Sequence, residues 1–319
     1  MRFPLADWID AHPECRYDLG TSGMRGTVAV PRPTPAELRS ASEHELRHRL
    51  GGLLGVAEER VFLTHGATEA NALAVGYLVR RHRGRSARAR VALPEYPPIV
   101  DLLRWAGVRV GSAPGPADLA VLSQPHNPDG SLWSADRFAE WTAGARATVV
   151  DETFREFTSA PSRSRSTTAG LWATGSFTKV YGADDLRVGF VVAPEPDQTP
   201  FARFHGIVAD ELAPYSVAGA LAVLDERDRI LARVRSRFER HRALWRRATP
   251  RGPELAAPVA FDTAVGPDGD RFARRCLRAS ILVCPGSFFG RRRGVRVALT
   301  RPSFPRALRE YLRVRAAGR

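Results

Sequence analysis

The sequence predicts an α/β fold: a mostly parallel, doubly wound sheet followed by a smaller α+β lobe. Three observations carry that prediction. Between about residues 61 and 192, short apolar runs alternate with amphipathic stretches, the order that lays helices on both faces of a parallel sheet. From about residue 214 the pattern changes to long helical stretches and then a few short strand candidates. The chain has 319 residues, room for about two lobes, and 44% of them are hydrophobic, so a buried core needs no staples.

A helix is expected from Thr34 as N-cap, with Pro35 at its first position and Leu38, Ala41, Leu46 and Leu50 on the buried side. Next, the strand Val61 to Leu63 runs through Gly66 into a helix carrying Ala70, Leu73 and Tyr77. Further strands are expected at Val91 to Leu93, Val108 to Val110, Leu119 to Leu122, Thr148 to Asp151, Leu171 to Ser176 and Val188 to Val192. Helices near Pro98 to Trp105 and Ala135 to Ala143 separate several of them, and PSRSRSTTAG at 161–170 reads as an exposed loop. In the later chain, Ala218 to Leu224 and Ile230 to Trp245 read as helical. Short strands around Val259 to Phe261, Ile281 to Cys284 and Val295 to Leu299 follow, then a terminal helix from Pro305. The expected division is an N-terminal arm over 1–30 that joins the small lobe, a large domain over 31–205 and a small α+β domain over 206–319.

A net charge of +14 invites a nucleic-acid reading, because a basic face holds phosphates through counterion release. The distribution of the arginines argues against it. They spread along the chain, with clusters at Arg80, Arg81, Arg83, Arg85, Arg88 and Arg90 and at Arg291, Arg292 and Arg293, and no aromatic-interleaved or Cys/His module accompanies them. They read as solvated surface. Cys15, Cys276 and Cys284 form neither an even disulfide framework nor a CxxC metal pair, which fits a reducing cytoplasm and makes each a core or bystander residue. The N-terminus lacks the apolar stretch of a signal peptide, and no run reaches the ~18 apolar residues that span a bilayer. A cytoplasmic protein without a nucleic-acid or membrane partner, and without a bound metal, is expected.

One lysine, Lys179, stands among 48 basic side chains. Arginine stays protonated, whereas a lysine amine can lose its proton, attack a carbonyl and form a Schiff base. Lys179 is therefore a candidate covalent catalyst; the alternative is a chance survivor on the surface.

Five segments fall at the ends of predicted strands, where ligands of open α/β sheets sit. They are GATEAN at 66–71, EYPP at 95–98, SQPHNPDG at 123–130, VVDETF at 149–154 and SFTKVYGADDLRVGF at 176–190. Gly66, Ala67 and Thr68 open a helix after a strand, so their N–H groups and the Thr68 hydroxyl can face a phosphate, favoured by the helix dipole. The plainer reading is an ordinary helix start. Likewise Asp151 can be a cap, Asn127 a turn residue chosen for geometry, Tyr96 a packed core tyrosine and Arg187 a surface arginine.

In this order around the single lysine, the five segments resemble the fold-type I pyridoxal-phosphate (PLP) enzymes, specifically the class I/II aminotransferase family and its histidinol-phosphate aminotransferase-like branch. The resemblance runs from about residue 17 to the end. It implies a homodimeric enzyme in which 31–205 binds PLP, held as a Schiff base on Lys179. It implies a phosphate cup of Gly66, Ala67, Thr68, Ser176, Thr178 and Arg187, a pairing of Asp151 with the pyridine nitrogen, a hydrogen bond from Asn127 to the phenolic oxygen and stacking of Tyr96 on the ring. GVRVALTRP at 294–302 resembles the strand that carries the arginine for the substrate α-carboxylate, which falls at Arg296; Arg301 is left to solvent. CPGSFFG at 284–290 resembles the turn before that strand. The implied activity is transamination of an amino acid, with Lys179 as the base at the α-carbon.

Two positions depart from the family pattern. Phe154 stands where a tyrosine usually donates to the phenolic oxygen, and Val30 where a tyrosine often reaches a neighbouring subunit's phosphate. The opening PLADWIDAHPECRYDLGTSGM is similar to capreomycidine-synthase-like enzymes, which eliminate and cyclise hydroxylated arginine derivatives. A PLP-dependent lyase or cyclase is thus the alternative. A non-catalytic domain that senses PLP or an amino acid is a third reading, weakened because Lys179, Asp151, Asn127 and Arg187 are all present and no helix-turn-helix precedes them.

Overall fold

The central strands are buried on both faces, so their apolar runs demand cover above and below. The computed structural model describes residues 4–82, 87–113, 115–165, 170–250 and 252–317. Helix α1 (Pro4–Asp10) and strand β1 (Tyr17–Asp18) come first, then α2 (Pro35–Ser40), α3 (Glu43–Leu54), β2 (Val61–Thr64) and α4 (Ala67–Arg81). β3 (Arg88–Val91), α5 (Pro97–Trp105), β4 (Arg109–Gly111), β5 (Ala117–Ser123), α6 (Ala135–Thr142), β6 (Ala145–Asp151), β7 (Leu171–Ser176) and β8 (Gly189–Val192) follow. The later chain carries α7 (Gln198–Val208), α8 (Pro214–Asp225), α9 (Arg227–Ala248), β9 (Val259–Asp262), α10 (Gly269–Arg278), β10 (Ile281–Leu282), β11 (Cys284–Pro285), β12 (Val295–Ala298) and α11 (Phe304–Ala316).

Seven strands form one sheet in the order β2-β8-β7-β6-β5-β3-β4. β8 runs antiparallel to both neighbours and the other pairs are parallel. Alternate residues feed two cores, as the period of two requires. Val149, Trp172 and Val191 pack with Ala70 and Leu73 of α4, Ile99 of α5 and Phe201 of α7. Val150, Ala173 and Val192 face the other way, toward Leu46 and Leu50 of α3 and Phe138 of α6. This is the doubly wound sheet expected from the sequence. A second, antiparallel sheet runs β11-β12-β9. β1 pairs in parallel with β10, so the segment after it passes between the small sheet and β7: Ala298 N donates to Leu19 O at 2.8 Å and Met24 N to Lys179 O at 3.0 Å.

Several elements differ from expectation for local reasons. Thr34 does open a helix, through a capping box with Glu37, but that helix ends at Ser40 and buries no residue. Ser42 caps a new one by accepting from Glu45 N, so Leu38 and Ala41 are only half-buried while Leu46 and Leu50 reach the core. The strand expected at 91–93 lies at Arg88–Val91, disguised by its arginines; Leu93 is 45% exposed. Arg90 is not solvated: it is buried, lies over the Trp141 ring at 5.3 Å and donates to Ala143 O at 2.7 Å. Nor is Arg301, whose Nε and Nη2 donate to Asp18 Oδ2 at 2.9 and 2.8 Å. The stretch Ile281 to Cys284 splits between two sheets, Ile281–Leu282 with β1 and Cys284–Pro285 with β12. Arg83, Arg85 and residues 166–169 of the expected loop lie outside the described residues. Among the described residues, no helix is long and apolar enough to cross a membrane.

Candidate active site

The C-terminal ends of β5, β6 and β7, together with the start of α4, enclose a cavity of about 240 Å3. Ala67, Thr68, Tyr96 and Asn127 line it, as do Asp151, Thr178, Lys179 and Arg187. Gly66, Ser176 and Arg296 stand behind that wall.

At the head of α4, Gly66 adopts φ +94°, and a Cβ there would come within 3.0 Å of Arg187 Nη2. Only glycine fits this turn at low cost, since an L side chain is strained at that φ and would crowd the guanidinium. Arg187, itself left-handed at φ 51°, donates to His65 O at 3.2 Å. A cation beside a helix N-terminus meets the positive end of the dipole, an unfavourable pairing unless an anion lies between them. The Ser176 and Thr178 hydroxyls are 2.7 Å apart, so Ser176 can orient the Thr178 hydroxyl that lines the cavity. Ser176 thus acts through Thr178 and does not itself face the cavity.

Asp151 ends β6 with both carboxylate oxygens fixed. Asn71 Nδ2 donates to its Oδ2 at 2.8 Å and Thr153 N to its Oδ1 at 2.9 Å, while Thr174 Oγ1 holds Asn71 by donating to Asn71 Oδ1 at 2.6 Å. The carboxylate is buried and faces the cavity, so a cationic donor arriving there finds it already oriented.

Lys179 follows β7 and its stem is half-buried. Burial holds its amine below the usual lysine range; the charge of Asp184 opposes this, Arg296 and Arg187 reinforce it, and Asp151 opposes it again. A lysine that gives up its proton more readily is the form a nucleophile or base requires.

Asn127 sits on a buried polar network that the sequence reading did not find. Its N–H donates to Ser123 Oγ at 2.9 Å, and Ser123 Oγ donates to Glu95 Oε1 at 2.6 Å. Glu95 also accepts from the N–H groups of Ser123 and Tyr96, at 2.8 and 2.6 Å. His126 Nε2 stands 3.7 Å from Glu95, and its Nδ1 3.0 Å from Asp129. Burial pushes Glu95 up to about 7. Burial alone would discharge His126, but the nearby carboxylates of Asp129 and Glu95 outweigh it and push it up to about 9. Glu95 and Ser123 thereby brace the backbone N–H groups of Tyr96 and Asn127.

Arg296 is 1% exposed and does not line the cavity, contrary to the expectation for a residue that receives a substrate carboxylate directly. Its Nη1 donates to Asn127 Oδ1 at 3.3 Å, its Nη2 to Gly20 O and to Cys284 Sγ at 3.2 Å, and its buried Nε has no partner. The Gly20 carbonyl and the thiol draw it behind Asn127. Phe154 lies on the cavity wall, and Val30 packs against this chain's own core.

Asn71, Thr153 and Asp184 also line the cavity without having been assigned from the sequence. Asn71 carried a usable signal, since it lies three residues after Thr68 on the same helix face. For Thr153 and Asp184 the orientation of a turn decides, and no periodicity reports that.

The donor set suits PLP. A glycine turn that a Cβ would obstruct, the Thr178 hydroxyl and Arg187 match a phosphate. An oriented carboxylate matches a protonated ring nitrogen, and a single lysine of lowered pKa matches an aldehyde carbon. Two buried cavity atoms, Thr153 Oγ1 and Asp184 Oδ2, have no partner, as expected of a site shaped for a polar guest.

The chain is 31% identical over 201 residues to a histidinol-phosphate aminotransferase of Halorubrum lacusprofundi, covering 59% of this chain and 52% of the relative, so it spans about half that protein's length. It is 27% identical to the capreomycidine synthase of Streptomyces vinaceus, over 99% of this chain and 95% of the relative. A PLP-dependent aminotransferase from Streptococcus suis superposes with a TM-score of 0.81 at 18% identity, over 100% of this chain and 98% of its own, which shows the shared fold. The family model for aminotransferase class I and II matches residues 4–309, and with nearly the whole chain inside that match, the protein belongs to the class I and II aminotransferases.

Proposed function

We propose that this chain is a PLP-dependent aminotransferase acting on an amino acid through a covalent bond to Lys179. The observation that carries the reading is the convergence on one cavity of the sole lysine, the oriented Asp151 carboxylate and the Arg187 cation at the head of α4. When bound, PLP supplies an electron sink for the pair released as a bond at the substrate α-carbon breaks. The protein's own residues do the rest. The N–H groups at Ala67 and Thr68, the Thr178 hydroxyl and Arg187 would hold the PLP phosphate; Asp151 would pair with the protonated ring nitrogen; Tyr96 and Asn127 would hold the ring. Lys179 moves the proton at the α-carbon. Arg296, buried with an unpartnered Nε one contact behind Asn127, is the cation for the substrate carboxylate, reached once Asn127 or Gly20 yields a hydrogen bond. The same reading takes 31–205 as the cofactor-binding domain and 206–319 as the small domain joined by the first 30 residues, in a cytoplasmic homodimer. The parallel pairing of β1 with β10 supports the joining of the first 30 residues to the small domain, and the three free cysteines suit a reducing compartment.

The alternative is a PLP-dependent lyase or cyclase, favoured by the similarity to capreomycidine synthase along 99% of this chain and by Phe154 in place of a hydroxyl donor. One experiment separates the two. An aminotransferase given only a donor amino acid converts its cofactor stoichiometrically to the amine form and stops until a keto acid is added. Many turnovers on one amino acid, with no keto acid and no pyridoxamine phosphate, would transfer the assignment to elimination or cyclisation.

The phosphate cup has its own test. Arg187→Ala removes an ionic hydrogen-bonding partner, and PLP affinity is expected to fall roughly tenfold to hundredfold. Equilibrium dialysis at moderate salt measures it; an unchanged Kd would place the phosphate elsewhere.

A further inference from the structure

We propose that Asp184 is a positioning residue for Lys179: its carboxylate is the seat to which the lysine ammonium docks whenever the amine is not bonded to the cofactor. The proposal rests on the reading of Lys179 as the covalent catalyst.

Asp184 lines the same cavity as Lys179. Its Oδ2 is buried and has no hydrogen-bond partner. A buried carboxylate oxygen left unpaired is costly, so a donor on the cavity side is expected to complete it. Lys179 is a mobile donor whose stem is close by. A Cβ placed on Gly23 would lie 3.4 Å from Lys179 Cδ and 3.8 and 3.9 Å from the two Asp184 carboxylate oxygens. The lysine stem and the carboxylate therefore flank one glycine, and rotation of the side chain alone can carry the amine toward Asp184. Backbone contact fixes this arrangement, since Met24 N donates to Lys179 O at 3.0 Å.

Other charges leave Asp184 as the available partner. Arg187 and Arg296 disfavour the ammonium, as burial does. Asp151 favours it too, but less than Asp184 does. Asp185 is exposed and pairs with Arg25 at 2.8 Å. A lysine that has taken a proton in such a cavity becomes a cation among cations, and Asp184 supplies the compensating charge on its own side. The proton is then held at a defined place from which it can be returned, and the amine is kept from wandering.

The single lysine makes the test direct. Reductive methylation of the apo form of this 319-residue chain with 13C-formaldehyde labels Lys179 and the N-terminal amine alone, and NMR follows the Lys179 signal with pH. Its midpoint in Asp184→Asn is expected about one unit below that of the otherwise wild-type protein, with Asp184→Glu restoring part of the shift. In the loaded enzyme, Asp184→Asn should lower kcat about tenfold with KM little changed, and the glutamate variant should recover part of it. Coincident midpoints for wild type and Asp184→Asn, or for Asp184→Ser should the asparagine variant not fold, overturn the proposal. Because the titration uses apo-protein, a failure of the PLP reading shows up separately, as a protein that takes up no cofactor.

Discussion

Lys179→Arg is expected to abolish the borohydride-reducible PLP adduct and to lower turnover by a factor of about 10²–10⁴ from the lost proton transfer alone. The physical reason is that a guanidinium stays protonated and cannot add to an aldehyde carbon, while it preserves the positive charge and most of the stem. Charge and packing are thus held nearly constant and only nucleophilicity is removed. Wild-type protein reduced with borohydride should carry the cofactor on one tryptic peptide, the one containing Lys179, because the chain has no other lysine. Reducible cofactor on the variant would show that the bond forms elsewhere. A wild type that cannot be loaded with PLP would remove the functional reading altogether.

What the sequence made legible follows from where the information sits. Lys179, Asp151 and Arg187 lie in or beside short strands, where an apolar run fixes both the direction of the chain and the residue that emerges at its end. Thr34 was legible as a cap because a capping box is local, spanning Thr34 to Glu37. The break at Ala41 was not, because Leu38, Ala41 and Leu46 keep a plausible helical spacing across two separately capped helices. β3 was misplaced because its arginines break the apolar pattern, and only the three-dimensional fold brings the Trp141 ring over Arg90. Long-range pairing hid the network of Glu95, His126 and Asp129 in the same way: Glu95 lies 28 residues from the Ser123 that it orients. Arg296 marks the limit of a resemblance. Position along a strand suggested its chemistry, yet its immediate neighbours, Gly20 O, Cys284 Sγ and Asn127 Oδ1, determine that it waits behind the cavity wall.

Asp151→Asn is expected to leave the fold intact and to lower kcat about 10²–10³-fold, the usual loss when one preorganised electrostatic partner is removed from a water-excluded site. The local hydrogen bonds explain why folding survives. An asparagine at 151 can still accept from Thr153 N through its carbonyl, while its amide would meet the Asn71 amide donor. Rotating Asn71 turns its oxygen toward position 151, and the Thr174 hydroxyl can then accept where it formerly donated. Each of the three side chains thereby keeps a hydrogen-bond partner. What cannot be recovered is the negative charge, and a neutral amide does not hold a proton on the ring nitrogen. Asn71→Ala provides the contrast: it keeps the carboxylate and removes one of its two supports, so its kcat should fall well short of the Asp151→Asn loss. Stopped-flow absorbance of the half-reaction with a donor amino acid, together with circular dichroism of each variant, measures the difference. If Asp151→Asn retained kcat within a few fold of wild type, the carboxylate at the end of β6 would be a cap for the Thr153 turn and not the partner of the cofactor ring.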